Sequence, residues 1–477
     1  MDATAPLRLA IVGGGITGLA AAWHARRLAS EAGRDLDVIV LEAGARAGGK
    51  VRTVRDGEWV IEGAPDSFLT TKPWAHDLAI ALGLGDRRIV QRPGGRRVFV
   101  RHRGRLVPLP AGFRLAAPTA FGPFLRTPLL SWRGKLRAGL DWILPARRDT
   151  ADESMAAFVR RRMGREVLER LAAPLMAGIY VGDPERLSIQ ATFPQLVALE
   201  RSHGSLIRGL RRSAAAGEAG SSAAAAFVSL AGGVGDLIDA LAADLGPIVR
   251  TGAVVDRIGR GADAAAYAVR LVDGTVYEAD AVVVTTPAPV AARLLADVAP
   301  EAARIAGGVR HLSSATVSLG YRREAVGHPL DGLGIIVARA EGVRWAACSW
   351  SSSKWDGRAP AGHVLVRLFY GGEGREDDAR QDEATLVRWA VEDAGAILDA
   401  RGEPVLARAF RWIDGNPQYD VGHAARAAAA AAACPDGLVL AGASWGGVGL
   451  PDCVRQGLEA ATTVLRVERS HVDGGIA

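Results

Sequence analysis

Leu7-Arg8-Leu9-Ala10-Ile11-Val12-Gly13-Gly14-Gly15-Ile16-Thr17-Gly18 is the stretch on which the fold turns. Its first six residues are mostly apolar and predict a buried strand, while the run 17–29, with small residues on its early turns, predicts a helix. Between them lies Gly13-x-Gly15-x-x-Gly18, a weak pattern alone but informative where a strand precedes it and a helix follows. Gly13 permits a tight turn, Gly15 lets a pyrophosphate approach the backbone, and Gly18 lets helix and strand pack closely. Gly14, Ile16 and Thr17 complete the turn, whose helix start offers free N–H groups and a partial positive charge to phosphates. A second predicted strand, 37–42, follows a polar turn, giving a strand–helix–strand unit and the beginning of a parallel sheet. Glu42 ends that strand, where a carboxylate accepts hydrogen bonds from ribose hydroxyls.

The residues after Glu42 favour FAD over a nicotinamide cofactor. Gly44-Ala45-Arg46-Ala47-Gly48-Gly49-Lys50 prolongs the turn, and Arg46 is placed to pair with a phosphate. The same run fits G-x-x-x-x-G-K, but Val51 lacks the hydroxyl that holds magnesium in a P-loop. Near the other end, Gly442-Ala443-Ser444-Trp445-Gly446-Gly447-Val448-Gly449-Leu450-Pro451-Asp452 follows a short apolar strand. Its glycines let backbone lie against an isoalloxazine ring, and a helix beginning near Pro451 aims its dipole at the N1–C2 edge. Gly442-x-Ser444-x-Gly446 also mimics the nucleophile elbow of serine hydrolases. The acid and base available to such a triad are Asp452 and His471, and His471 falls in a polar tail, a poor place for a positioned base.

A chain of 477 residues with 49% hydrophobic and 23% charged residues has ordinary globular composition and can bury a large core without staples. Cys348, Cys434 and Cys453 show neither disulfide nor metal-ligand spacing, so no metal is expected and a reducing compartment is. No signal peptide is readable, and nowhere do about 18 apolar residues run together. The formal charge of +6 is local: Arg87 to Arg148 holds fifteen Lys/Arg and one acid, Asp141, leaving 43 basic against 51 acidic residues elsewhere. Nucleic acid, anionic lipid, a polycarboxylate ligand or a solvated basic face each fits such a segment. Its prolines and aromatics suggest short helices and loops inserted outside the sheet. An Ala/Gly/Ser tract, 213–226, reads as a surface loop. Further strands are expected at 249–255, 280–286, 315–321, 364–370 and 438–441, the third and fourth in an antiparallel second domain.

Several motifs together resemble a known family, the oxygen-dependent porphyrinogen oxidases of heme biosynthesis, within the wider amine oxidase flavoproteins. The resemblance is carried nearly end to end by 13–18, by Glu62-Gly63-Ala64-Pro65-Asp66-Ser67-Phe68, by Ala173-Pro174-Leu175-Met176-Ala177-Gly178-Ile179-Tyr180-Val181-Gly182-Asp183-Pro184, by 191–194 and 204–209, by Pro417-Gln418-Tyr419-x-Val421-Gly422-His423, and by 442–453. It implies an α/β chain with a discontinuous Rossmann-like FAD-binding domain (1–85, 226–300, 418–469). A basic helical insertion (86–185) would face the cavity entrance or a membrane, and an antiparallel α+β substrate domain would take 186–225 and 301–417. It implies that Glu42, Ala43, Gly49, Lys50, Gly63, Ala64, Pro65, Val254, Gly442, Gly447, Val448, Gly449, Leu450 and Pro451 line FAD. Lys72 and Ile179 would meet the substrate, with Lys72 holding a propionate. A porphyrinogen would lose hydride to the flavin and O2 would be reduced to H2O2, with coproporphyrinogen III preferred to protoporphyrinogen IX. No dedicated acid–base dyad is expected, because pyrrole protons leave to solvent. The expected setting is the cytoplasm, with peripheral contact at the inner face of the membrane and hand-off to other heme-pathway enzymes. Nucleic acid is not an expected partner.

Overall fold

Residues 6–93, 97–114, 116–215, 227–262 and 266–466 are described, in a computed structural model. Five parallel strands form the central sheet, in the order Val249–Thr251, Leu36–Glu42, Leu7–Val12, Ala281–Val284, Leu438–Leu440. Parallel strands are covered on both faces, which explains their nearly continuous apolar runs. The two-residue period sorts their side chains. Leu9, Ile11, Val38, Val40, Ala281 and Val283 pack toward the helices Ile16–Glu31, Gly235–Leu245 and Leu450–Val464. Ala10, Val12, Leu41, Val282 and Val284 face the opposite layer, built from a three-stranded antiparallel sheet (Val255–Arg260, Tyr267–Leu271, Val276–Ala279) and two short helices (Ala288–Leu294, Pro300–Gly307). The expected strand over 249–255 is broken by Gly252, which turns with φ +71° and starts the antiparallel layer instead.

A seven-stranded sheet forms the second body, in the order Leu406–Pro417, His311–Arg322, His363–Gly371, Trp345–Ser349, Gly334–Val337, Val98–His102, Arg105–Pro108. The helix Glu383–Leu398 covers one face through Leu386, Ala390, Ala394 and Leu398, with Trp345 and Trp350 buried in the same core. The hairpin 98–108 corrects the expectation that the basic segment stays outside the sheets. Val98, Phe99 and Val100 pair parallel with Gly334, Ile335 and Ile336 of the Gly334–Val337 strand, a short apolar run masked in sequence by the arginines that flank it.

The third body is helical. Met155, Phe158, Val159, Met163, Leu171 and Met176 pack with Phe113 and Phe124. Ile189, Phe193, Leu196, Leu206 and Ile207 join the same core, so the helices across 189–215 pack with the insertion rather than, as expected, with the second sheet. Asp141, the one acid of the basic segment, is fully buried here. It accepts from Arg162 Nε at 2.6 Å, from Ser205 Oγ at 2.7 Å and from the Ile207 N–H at 2.9 Å. The segment's outer surface is therefore left without its acid. The expected surface loop at 213–226 begins with the end of a helix, Leu206–Ala215, and residues 216–226 lie outside those described.

The helices Ile16–Glu31 and Leu450–Val464 come close together at Gly457. A Cβ there would stand 2.8 Å from the Thr17 carbonyl oxygen and 2.9 Å from the Ala21 nitrogen, both backbone atoms that cannot swing aside. Replacing this glycine gains a few tenths to about 1 kcal/mol of helix propensity. Overpacking costs about 1–3 kcal/mol, so it decides the sign. Gly457→Val is therefore expected to lower the denaturant midpoint of the protein at unchanged m-value; a midpoint at or above the parent's would show that the contact is slack.

Candidate functional site

The first turn is shaped by contacts that glycine alone permits. Gly13 adopts φ +108°, and a Cβ on it would lie 2.7 Å from Thr285 Oγ1. A Cβ on Gly18 would drive into the Gly13 carbonyl oxygen. Gly15 is different: it is the N-cap of the helix Ile16–Glu31, has ordinary extended backbone, and nothing lies within 4 Å of where its Cβ would be. No side chain caps this helix start. An open cradle over bare N–H groups fits a pyrophosphate. Ile16 and Thr17 are buried in the first helical turn. Thr286, just beyond the Ala281–Val284 strand and against Gly13, adds a buried hydroxyl with no partner among the described residues.

Glu42 accepts the Gly14 N–H on Oε2 and the Gly44 N–H on Oε1, each at 2.7 Å. The carboxylate expected to meet a ribose thus first ties the two turns together. Gly48 donates to the Gly14 carbonyl at 2.7 Å, binding the second turn to the first. Arg46 donates to the carbonyls of Ala47 at 2.8 Å and Gly49 at 2.6 Å. Its guanidinium staples the 44–51 turn. Ala43 and Gly49 are exposed on this turn, and Val254 is exposed beside Ala253, whose N–H donates to the Glu42 carbonyl. Lys50 is half-buried near Cys453, burial lowers its amine to about 8, and it makes no ion pair among the described residues.

Gly63, Ala64 and Pro65 connect this body to the seven-stranded sheet. The Gly63 carbonyl accepts from Thr316 Oγ1 at 2.9 Å and Trp412 Nε1 at 3.0 Å. Arg367 Nη1 donates to the carbonyls of Glu62 and Ala64, both at 2.9 Å. A Cβ on Gly63 would meet Phe410 at 2.9 Å, which accounts for the glycine. Asp66 is held by Lys354, with both carboxylate oxygens at 3.0 Å, and by Arg367 at 3.5 Å. Burial alone would raise its pKa, but these two cations hold it well below the usual carboxylate range.

At the closing turn, Gln456 Oε1 accepts the N–H groups of Gly442 and Gly446, each at 3.1 Å. Gly442 and Gly447 take φ +112° and +123°. Val448 packs against the helical core, Gly449 is the N-cap of the helix Leu450–Val464, and Leu450 and Pro451 form its buried first turn. Ser444 is buried, and its hydroxyl accepts the Ala288 N–H at 3.0 Å, capping the helix Ala288–Leu294. The same hydroxyl lies 3.3 Å from His311 Nε2, and at 3% exposure it is a buried structural group rather than the exposed nucleophile of a hydrolase elbow. Cys453 is buried with a thiol pushed up to about 11 by burial, as a packing residue. Lys72 donates to both carboxylate oxygens of Asp452, at 2.8 and 2.7 Å, on a partly exposed rim of this turn. The Ile179 side chain lies outside the described residues.

Both glycine turns are thus brought against one end of the parallel sheet, by the packing of their two helices. The model of the flavin-containing amine oxidoreductases matches residues 16–465. The chain belongs to the flavin-containing amine oxidoreductase family. As a member of that family it is an FAD-dependent oxidoreductase, and the open Gly15 cradle, the orphan Thr286 hydroxyl and the unpaired Lys50 suit that cofactor. Among relatives, a Bacillus subtilis (strain 168) protein named coproporphyrinogen III oxidase is 35% identical over 95% of this chain and 97% of its own length. A chloroplastic protoporphyrinogen oxidase of Oryza sativa subsp. japonica is 32% identical over 95% of this chain and 87% of its own. A crystal structure from Exiguobacterium sp. 255-15, provisionally named a protoporphyrinogen oxidase, superposes with a TM-score of 0.85 at 33% identity, covering 96% of this chain and 98% of that one.

The sequence leaves several members of this flavoprotein site unnamed. Thr316, Arg367 and Trp412 sit on strands whose alternation marks them as one face but not as partners of Gly63, some 250 to 350 positions away. Gln456 is visible only as a polar residue one helical turn past Asp452 on the inner face of the last helix. The contrast between two glycines makes a test of the cradle. Gly15→Ala should leave unfolding of the apoprotein within about 0.5 kcal/mol of the parent while weakening FAD retention at least tenfold. Gly18→Ala should compromise folding itself. Flavin titration and denaturant unfolding of both variants separate these outcomes, and a Gly15→Ala variant that stays fully yellow would remove Gly15 from the cofactor site.

Proposed function

We propose that the chain oxidises a porphyrinogen to its porphyrin, taking coproporphyrinogen III in preference to protoporphyrinogen IX. The observation that carries this is the 35% identity to a Bacillus subtilis coproporphyrinogen III oxidase across 95% of the chain. FAD, when bound, supplies a hydride acceptor that O2 reoxidises with release of H2O2. The chain's own residues would orient the macrocycle, keep water from its reacting carbon and bias the electrostatics. Arg367, Thr316 and Trp412 hold the Gly63–Ala64 backbone from the sheet face, so that face and the cofactor loop would keep a fixed separation around the substrate. The start of the helix Leu450–Val464 and the Lys50 amine would place positive charge where negative charge grows during hydride acceptance. Pyrrole N–H protons leave to water, which removes the need for a dedicated base.

Coproporphyrinogen carries four propionates against two in protoporphyrinogen, so a cation at the rim discriminates between them. Lys72 suits that task because its partner Asp452 is a carboxylate, which a propionate would replace with the same geometry. Protoporphyrinogen remains the second reading, favoured by the Oryza relative.

We further infer peripheral contact with an anionic membrane through the helical body. Phe121, Leu125, Trp132, Leu136, Trp142 and Ile143 are exposed large apolar side chains within one short segment, Ile143 to 75%. Arg126 and Arg133 are exposed among them, and Arg211 lies 4.8 Å over the Phe121 ring. Apolar and aromatic groups interleaved with cations suit the headgroup boundary. No helix among the described residues is long and apolar enough to cross a bilayer.

Steady-state porphyrin fluorescence on both porphyrinogens tests the substrate assignment, with a higher kcat/KM expected for coproporphyrinogen; the opposite order would reverse it. Lys72→Met should raise KM for coproporphyrinogen about tenfold, the loss of one charge-assisted hydrogen bond, with a smaller change for protoporphyrinogen. In sedimentation with vesicles rich in anionic lipid, Trp132→Ser with Ile143→Ser should lower the bound fraction at least tenfold, whereas a parent protein that ignores such vesicles would defeat the membrane assignment.

A further inference from the structure

The motif 417–423 has no role assigned to it by sequence, and it lies beside the closing glycine turn. The Tyr419 hydroxyl donates to the Ala443 carbonyl at 2.6 Å and accepts the Gly447 N–H at 2.8 Å. One oxygen therefore spans both arms of the turn. His423, one helical turn further on, stacks on the Tyr419 ring at 4.0 Å with the planes 11° apart. Its Nε2 lies 3.3 Å from the carbonyl of Trp445, the residue midway between the two that Tyr419 holds. With Nε2 protonated this is a third bond to the same five residues. Both side chains are buried, Tyr419 at 1% and His423 at 2% exposure. Burial lowers His423 to about 4 and pushes the Tyr419 phenol well above its ordinary value, so both rings stay neutral near pH 7.

We propose that Tyr419 and His423 are positioning residues for the flavin, which set where the 443–447 backbone stands against the first turn of the helix Leu450–Val464. Gly447, with φ +123°, has no side chain to brace it, and its N–H direction is fixed by the Tyr419 oxygen alone among the described residues. Gly447 and Val448 lead directly into the Gly449 N-cap, so a change in the turn re-aims that helix start. A helix terminus acts over the first turn only. Sub-ångström displacement of the turn therefore alters the field at the cofactor's redox edge. The tyrosine ring also meets Tyr180, centroid to centroid at 5.9 Å, so the clamp is itself seated on the helical core.

Tyr419→Phe tests this in the full-length protein, since it keeps the stack and removes one atom. The Kd of the apoprotein for FAD should rise about tenfold, the cost of two backbone groups left unpaired. The two-electron midpoint potential should fall by about 30 mV, which corresponds to a tenfold weaker preference for reduced over oxidised cofactor. Tyr267→Phe is the control. Tyr267 is fully buried and donates to the Asp436 carbonyl, ahead of the strand Leu438–Leu440, whereas the glycine turn follows it. Its loss should lower the melting temperature while leaving affinity and potential unchanged. His423→Phe keeps a stacked ring and deletes only the bond to Trp445; it should shift Kd about threefold in the same direction, and it stands in if Tyr419→Phe fails to fold. Parental affinity and potential in whichever of the two folds would overturn the proposal. A parent protein that binds no FAD in the same titration would instead remove the cofactor assignment.

Discussion

Close contact between the helices Ile16–Glu31 and Leu450–Val464 turns two glycine stretches more than 400 positions apart into one site. Helix packing at ordinary distances, about 8–10 Å between axes, is set by the side chains at the crossing. Here those are Thr17, Ala20 and Ala21 on one side and Gly457 on the other, so the backbones come nearly together. The N-caps of both helices, Gly15 and Gly449, are consequently carried by one rigid pair. Ala460 and Ala461 continue the seam in the same buried core as Leu19 and Ala22. Small residues here do not maximise buried area. They let the two helix backbones approach closely at the crossing.

Rigidity on the other flank comes from polar contacts. The Gly63 and Ala64 carbonyls receive donors from three strands of the seven-stranded sheet, while Glu62 accepts Thr53 Oγ1 at 2.6 Å and the Val234 N–H at 2.7 Å. Burial pushes the Glu62 carboxyl up from its ordinary value, the expected response of an acid in an apolar layer even with two donors in place. Net stabilisation from each such bond is about 1 kcal/mol, but leaving its partner buried and unpaired costs more. The loop therefore has one low-energy position, fixed from both bodies at once.

The parallel sheet and its first turn are legible in the sequence because strand period, glycine spacing and helix start all agree over residues 7–42. Legibility fails where a residue's importance lies in a partner far along the chain. Arg367 reads as an ordinary charged residue within a strand, and only the fold places it under the Ala64 carbonyl. Lys72 and Arg46 are recognisable in the sequence as candidate ligand-binding cations, yet a local acid and local carbonyls engage them in ways that charge counting does not reveal. The hairpin 98–108 is hidden by composition: arginines and prolines outweigh an apolar run, Val98-Phe99-Val100, that opens a strand only five residues long. Buried Asp141 shows the converse, an acid that sequence adds to the surface balance and the fold withdraws from it.

Dependence on both chain ends has a consequence for biogenesis. Chains emerge from the ribosome N-terminus first, and domains tend to fold as they appear. The Gly13–Gly18 turn is exposed early, but its partner helix cannot dock until residues 450–464 have left the exit tunnel. Pigment uptake therefore waits on the helix Leu450–Val464, whose Leu450, Val454, Ala460 and Val464 also complete the core beside the parallel sheet.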